Sequence, residues 1–214
     1  MKSLLVFIIF AACLCHAEQQ KLFNGKDLTG WMVIPFTDGG EIKATDDGVI
    51  ECDIGNPLSG IVYTNTPPTM NYEISLEAMR VEGTDFFIAL TIPVETSHCT
   101  VIIGGWSGSL CGVSSIDNID AGLNQWSKEV TLKSDTWYKL RVRVTPGVLQ
   151  LFLNEDLYSA RIEYDDPSRL SLRPGSEISL CKPLGLATYY TKALWRNFTI
   201  APITDLKPAD KPNN

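Results

Sequence analysis

The sequence predicts an all-β chain folded as a two-sheet antiparallel β-sandwich. Three observations carry that expectation: apolar and polar residues alternate with period two, turn-forming residues punctuate the chain at short intervals, and no long stretch keeps helical spacing. In 72–78, Tyr72, Ile74, Leu76 and Ala78 fall on one face and Glu73, Ser75 and Glu77 on the other, the signature of a half-buried strand. Residues 137–145 repeat it, with Tyr138, Leu140, Val142 and Val144 inward and Lys139, Arg141 and Arg143 outward. Pro146-Gly147 turns that strand into Val148–Leu153, and Asn154-Glu155-Asp156 turns the next into Leu157–Tyr164, so a three-stranded meander is expected. Further strands are expected at Val49–Cys52, Gly60–Tyr63, Phe86–Ile92, Cys99–Gly104, Leu110–Ser114, Ser176–Cys181, Leu186–Tyr190 and Leu194–Ile200. So many short strands in one chain suit a two-sheet jelly roll better than a small barrel.

The chain has 214 residues, 44% of them hydrophobic and 20% charged, which excludes global disorder, collagen and coiled coil. The net charge of −7 and the lack of a basic stripe argue against a nucleic-acid partner. Lys2, an apolar run over 4–14 and the small-x-small site Cys15-His16-Ala17 read as an export signal spanning 1–17. The run is too short for a membrane span, and a lipid anchor at Cys13 is the second reading of the same segment. Either reading predicts a secreted, periplasmic or cell-envelope protein. Export leaves Cys52, Cys99, Cys111 and Cys181, an even count that suggests two disulfides with three possible connectivities, Cys99 and Cys111 facing each other across a hairpin being one pairing. Buried free thiols are the alternative. The folded domain is expected over 21–203, and 204–214 reads as a flexible tail.

The segment Leu22-Phe23-Asn24-Gly25-Lys26-Asp27-Leu28-Thr29-Gly30-Trp31 resembles the opening signature of the 3-keto-disaccharide hydrolase domain family. Pro183-Leu184-Gly185-Leu186-Ala187-Thr188 and Leu194-Trp195-Arg196-Asn197-Phe198-Thr199-Ile200 are similar to its closing strands. The resemblance spans residues 21–203 and implies a concanavalin A-like jelly roll with a polar trough able to hold a saccharide. It also implies elimination chemistry. A ketone at sugar carbon 3 acidifies the proton on carbon 2; a base removes it, the enolate expels the glycosidic oxygen from carbon 1, and water adds later. Such a site needs one base, a cation or metal for the enolate oxygen and a proton donor for the leaving group.

An ordinary carboxylate pair fits the sequence poorly. Glu51-Cys52-Asp53 is half of the Glu-x-Asp-x-x-Glu pattern of glucanases on this fold, and Asn56 stands where the last Glu belongs. Glu73 and Glu77 share a face but lie ~13 Å apart along a strand, beyond the spacing of a retaining or an inverting pair. The candidate catalytic residues are therefore His98, Glu77 and Asp85. Each has a plainer reading: a capping or surface histidine, an Arg-paired strand carboxylate, and a loop aspartate. Trp106 and Trp126, near glycines in loops, are candidate saccharide platforms, with loop anchoring as the rival role. Arg141 and Arg143 are further candidates for saccharide binding. Asp117, Asn118 and Asp120 gather oxygen atoms that suit a divalent metal such as calcium, against an ordinary loop built on Asx turns. The sequon at Asn197 lies inside an expected strand and reads as structural. A non-catalytic glycan-binding or adhesion module of laminin G or lectin type is the alternative to an enzyme, and a partner-binding sandwich is a third possibility.

Overall fold

A computed structural model describes residues 18–213. The export signal and the lipid-anchor candidate Cys13 lie outside the described residues. The strands, in chain order, are β1 (Gln20–Lys21), β2 (Trp31–Val33), β3 (Ile42–Ala44), β4 (Ile50–Cys52), β5 (Leu58–Tyr63), β6 (Tyr72–Gly83), β7 (Ile88–Val94) and β8 (Ser97–Gly104). They continue as β9 (Leu110–Ser114), β10 (Lys128–Glu129), β11 (Trp137–Thr145), β12 (Val148–Leu153), β13 (Tyr158–Glu163), β14 (Gly185–Tyr189) and β15 (Thr191–Pro202). They form two antiparallel sheets, as expected of a sandwich. The eight-stranded back sheet runs β13-β12-β11-β6-β15-β4-β3 with β1 on β15, and the seven-stranded front sheet runs β10-β9-β8-β7-β14-β5-β2.

The back sheet follows the alternation rule. Tyr72, Ile74, Leu76 and Ala78 of β6 and Tyr138, Leu140, Val142 and Val144 of β11 are buried in the core between the sheets. Their alternates face outward and pair across strands: Arg141 and Arg143 reach the same Oε2 of Glu73 at 2.9 and 2.8 Å. Arg143 is opposite Glu73 in the ladder and Lys139 opposite Glu77, so the arginines engage Glu73 rather than Glu77. The meander β11-β12-β13 forms as expected.

The front sheet behaves differently, because both of its faces are covered. Every residue of β5 and β7 is buried. Ile88, Leu90, Ile92, Val101 and Ile103 face the main core, while Ala89, Ile102, Leu58 and Val62 belong to a second apolar cluster on the outer side. One outer row across the sheet is made of small residues: Gly60, Ala187 and Ala89 sit side by side in the register. That shelf seats Phe36 and a 3-10 turn over Glu177–Cys181. A Cβ on Gly60 would stand 3.1 Å from the Phe36 ring, and one on Gly185 would stand 2.8 Å from Cys181 Cβ. Residues 176–181 are therefore not the expected strand. Ser176 caps a 3-10 turn by accepting from Ile178 N, and Ile178 and Cys181, three residues apart, go down onto the sheet.

Two further expectations change. The four cysteines among the described residues are free and buried. Cys111 pairs in register with Ile103, four residues along β8 from Cys99, a separation of ~13 Å that no disulfide spans. Cys181 lies in the outer cluster, and Cys52, Cys99 and Cys111 lie in the inner one. Burial pushes the thiols of Cys52, Cys99 and Cys181 up to about 12, which makes them inert packing groups. The C-terminal segment, expected as a flexible tail, is seated on the back sheet. Asp210 is 2% exposed and receives both Nε and Nη2 of Arg143, while the Thr145 hydroxyl donates to the Asp210 carbonyl at 2.7 Å. Arg161 reaches the carbonyls of Ala209 and Lys211.

Removing the Asp210 carboxylate takes three hydrogen bonds from the Arg143 guanidinium and leaves it on Glu73 alone. Asp210→Ala is expected to lower unfolding free energy by about 2–3 kcal/mol in a urea titration, whereas Asp205→Ala, in the same segment, leaves the midpoint unchanged.

Candidate functional site

The strands expected to carry function point to opposite sides of the sandwich. Glu77 faces outward from the back sheet. Partial burial pushes its carboxyl up, but hydrogen bonds from Arg196 (2.8 Å) and Asn197 (3.1 Å) outweigh this and hold it below the usual carboxylate range. It is a paired structural carboxylate. Arg141 and Arg143 are likewise tied to Glu73, Glu155 and Asp210, with the Arg141 guanidinium 4.6 Å from the Phe152 ring centre. Asn197 sits at φ 53 where the β6–β15 register shifts, so the sequon marks a β-bulge. A pocket of about 330 Å³ on this side includes Glu77, Lys139 and Asn197, but its carboxylate is already neutralised.

The outer side of the front sheet carries the remaining candidates. Its centre is not the expected open polar trough, because Ile178, Cys181 and Phe36 fill it. Open space survives at two ends. At one, a pocket of about 210 Å³ is lined by Asp85, Phe86, Trp106, Arg173 and Tyr189. Trp106 leaves the end of β8 in a left-handed turn over Gly105–Gly108, with φ 49 at Trp106 and φ 70 at Ser107. It is 40% exposed. Its indole lies against Gly122, where a Cβ would stand 2.7 Å from Nε1. Tyr189 packs on Phe86 with ring centres 5.5 Å apart, and Tyr190 meets Tyr189 edge-on at 4.9 Å. Aromatic faces of this kind fit the apolar faces of a sugar ring.

Asp85 and Arg173 add charge to that aromatic wall. The Asp85 backbone N–H donates to Thr191 Oγ1 at 3.1 Å, and its carboxylate accepts from Phe86 N at 2.8 Å and, more loosely, from Ser107 N at 3.4 Å. Arg173, missed in the sequence, comes from the loop before the 3-10 turn. Its Nε pairs with Asp120 Oδ2 at 3.0 Å, and Asp120 Oδ1 accepts from Ser114 Oγ at 3.1 Å. Asp120 thus orients the arginine. The pocket brings together a carboxylate, a guanidinium, a phenol and an indole: a proton acceptor, a cation, a proton donor and a platform.

The second opening, about 490 Å³, holds His98, Lys182, Ser97, Ser171 and Ser176, and Arg173 lines both. Burial and the Lys182 charge push the His98 imidazole below the usual histidine value, so it is neutral at pH 7. His98 and Gly104 are six residues apart on β8, ~20 Å, so His98 does not act on the same atoms as Asp85 and Trp106.

The other candidates take plainer roles. Asp117 and Asn118 both have positive φ and form a two-residue turn closed by reciprocal Ile116–Ile119 hydrogen bonds. Asp117 binds Arg169 through both oxygens, Asn118 Oδ1 accepts from Ser171, and Asp120 faces Arg173. These oxygens are spent on separate cations and hydroxyls and do not fit a shared calcium ion. Among the described residues no group of three or more His, Cys, Asp or Glu is arranged to hold a metal. Trp126 packs against the core, and its carbonyl accepts from Tyr158 Oη at 2.8 Å, so it anchors its loop. Tyr189 and Phe86 carried no signal beyond being strand aromatics. Arg173, beside Pro174-Gly175, shows in the sequence only as a loop cation.

Known structures share this architecture at low identity. A galectin-like protein of unknown function from Bacillus subtilis aligns with a TM-score of 0.54 at 12% identity, covering 86% of this chain and 94% of the other. A Crh5 transglycosylase solved with NAG aligns at 0.57 and 9% identity, over 89% and 86%. A structure from work on endo-acting O-glycanases of the human gut microbiota aligns at 0.58 and 11% identity, over 89% and 100%. These likenesses establish the sandwich fold. No curated protein matches the sequence. Among the described residues, no helix is long and apolar enough to cross a membrane. The family model for the 3-keto-alpha-glucoside-1,2-lyase-like domain matches residues 18–201, nearly the whole sandwich with its opening motif, and the chain belongs to that family.

Proposed function

We propose that the chain is an exported carbohydrate-active domain that cleaves the glycosidic bond of a 3-keto-glucoside by elimination. The observation that carries this reading is the convergence of Asp85, Arg173, Tyr189 and Trp106 on one pocket. Trp106 and Tyr189 hold the sugar ring. The Asp85 carboxylate takes the proton from carbon 2, and the C–H electron pair becomes the enolate whose negative oxygen, on carbon 3, lies against the Arg173 guanidinium. As the ketone re-forms, the pair shifts to a carbon 1–carbon 2 double bond. The glycosidic oxygen leaves with the carbon 1–oxygen electrons and takes a proton from the Tyr189 hydroxyl. The proton held by Asp85 restores Tyr189 through solvent, and water adds to the unsaturated sugar. Asp120 keeps Arg173 in position, and no step needs a second carboxylate.

Binding without cleavage is the second reading. It is favoured by the apolar cover of Ile178 and Cys181, which shortens the groove to its two ends. Turnover separates the two readings.

Incubated with methyl 3-keto-α-glucoside, the mature domain is expected to release methanol. Asp85→Asn keeps the acceptor for Phe86 N but is no base, and its kcat is expected to fall on the order of 10²- to 10⁴-fold. Equal rates for wild type and Asp85→Asn exclude Asp85 as the base, and sugar binding without methanol release selects the second reading.

Trp106→Ala is expected to raise KM about tenfold with kcat nearly unchanged, because a platform contributes mainly to binding. An unchanged KM removes the indole from the site.

A further inference from the structure

The left-handed turn that presents Trp106 has an expensive backbone. Gly104, Trp106, Ser107 and Gly108 have φ of 80, 49, 70 and 99, and two of these residues carry side chains. Such conformations persist only where the surroundings over-determine them. One tie is Asp85, through Ser107 N. The other comes from the opposite sheet.

Arg80 is an inward-facing residue of β6 in the back sheet, 7% exposed. Its Nη1 donates to the Gly108 carbonyl at 3.1 Å and its Nη2 to the Leu132 carbonyl at 2.8 Å. Its guanidinium carbon lies 5.8 Å from the centre of the Phe87 ring, which also packs 3.0 Å from where a Gly104 Cβ would stand. No acidic side chain among the described residues pairs with it, and its Nε has no hydrogen-bond partner. A buried guanidinium with carbonyl acceptors and no counter-ion is a costly choice for a core position that an apolar residue would fill. Gly108 is shaped to it: a Cβ there would fall 2.7 Å from Nη1.

We infer that Arg80 is a positioning residue for the saccharide platform, a strut between the sheets that clamps the Gly108 carbonyl and so fixes Trp106 over the pocket. It touches no substrate and acts through the turn. The inference rests on the reading of Trp106 as a sugar platform. Loss of the strut frees the turn, lets the indole leave its place against Gly122 and weakens sugar binding, while Phe86 N still holds Asp85 and Asp120 still holds Arg173.

The test uses the mature chain with methyl 3-keto-α-glucoside and, separately, amide hydrogen exchange of the 104–110 peptide. Arg80→Met, which keeps the stem but removes the donors, is expected to raise KM about tenfold with kcat within twofold, and to speed exchange in 104–110 at least tenfold. Arg80→Lys, with one ammonium for two divergent carbonyls, does not rescue. Arg80→Gln, neutral and too short to reach the Gly108 carbonyl, is expected to reproduce the KM rise, so the inference stays testable if Arg80→Met fails to fold. Arg143→Met, which destabilises the distant face of the back sheet, leaves KM and the exchange of 104–110 unchanged. An unaltered KM and unaltered exchange in Arg80→Gln overturn the inference. If wild type neither binds nor converts the sugar, the catalytic reading falls, and the exchange measurement alone decides whether Arg80 holds the turn.

Discussion

The front sheet is covered on both faces, and that constraint shapes the rest of the molecule. A sheet with one wet face needs only a core beneath it, as the back sheet shows with its outward rows of paired Glu73, Arg141 and Arg143. A sheet with residues such as Ala89, Ile102 and Val62 on its outer side needs a second cover. Phe36 and the 3-10 turn over Glu177–Cys181 supply it, and the small row of Gly60, Ala187 and Ala89 makes room for them. The openings are what this cover leaves exposed. The segment that ends the cover at one side also delivers Arg173, so the packing that closes the middle of the sheet places the cation at its end.

The opening motif that identifies the family is part of this scaffold. Leu22 and Phe23 are buried, and Trp31 donates from Nε1 to the Leu22 carbonyl at 2.8 Å while packing on Tyr63 of the front sheet and Phe198 of the back sheet. Asn24 and Asp27 close the intervening turn: the Asn24 side chain accepts from Lys26 N and Asp27 N, and Asp27 accepts from Thr29 N. A motif with this role ties the edge strand β2 of the front sheet to β15 of the back sheet, which explains why it reports the fold.

Legibility followed solvent exposure. The alternation in 72–78 and 137–145 was readable because one face of the back sheet meets water. The covered front sheet reads as plain apolar runs, from which neither its outer cluster nor the shelf of small residues follows. Ser176–Cys181 looked like a strand because a short apolar segment has no readable period. Short β2 and β3 left no pattern at all. Within the site, Asp85 and Trp106 were visible as a carboxylate and an indole beside turns, but their partners were not. Arg173 and Tyr189 reach them through long loops and strand order, which single-sequence spacing does not encode. His98, the lone histidine of the described chain, drew attention by rarity, and strand length places it ~20 Å from the turn that carries Trp106. Asp117 and Asn118 had the right atoms for a metal and the right residue types for a tight turn; positive φ at both decided for the turn.

The seating of Asp210 on Arg143 has a practical side. It anchors residues 207–213 against the sheet that faces away from both openings. A resin, dye or bead coupled at position 213 would therefore grip the molecule by its rear, leaving the Trp106 mouth unobstructed for glycans presented from solution or from a surface.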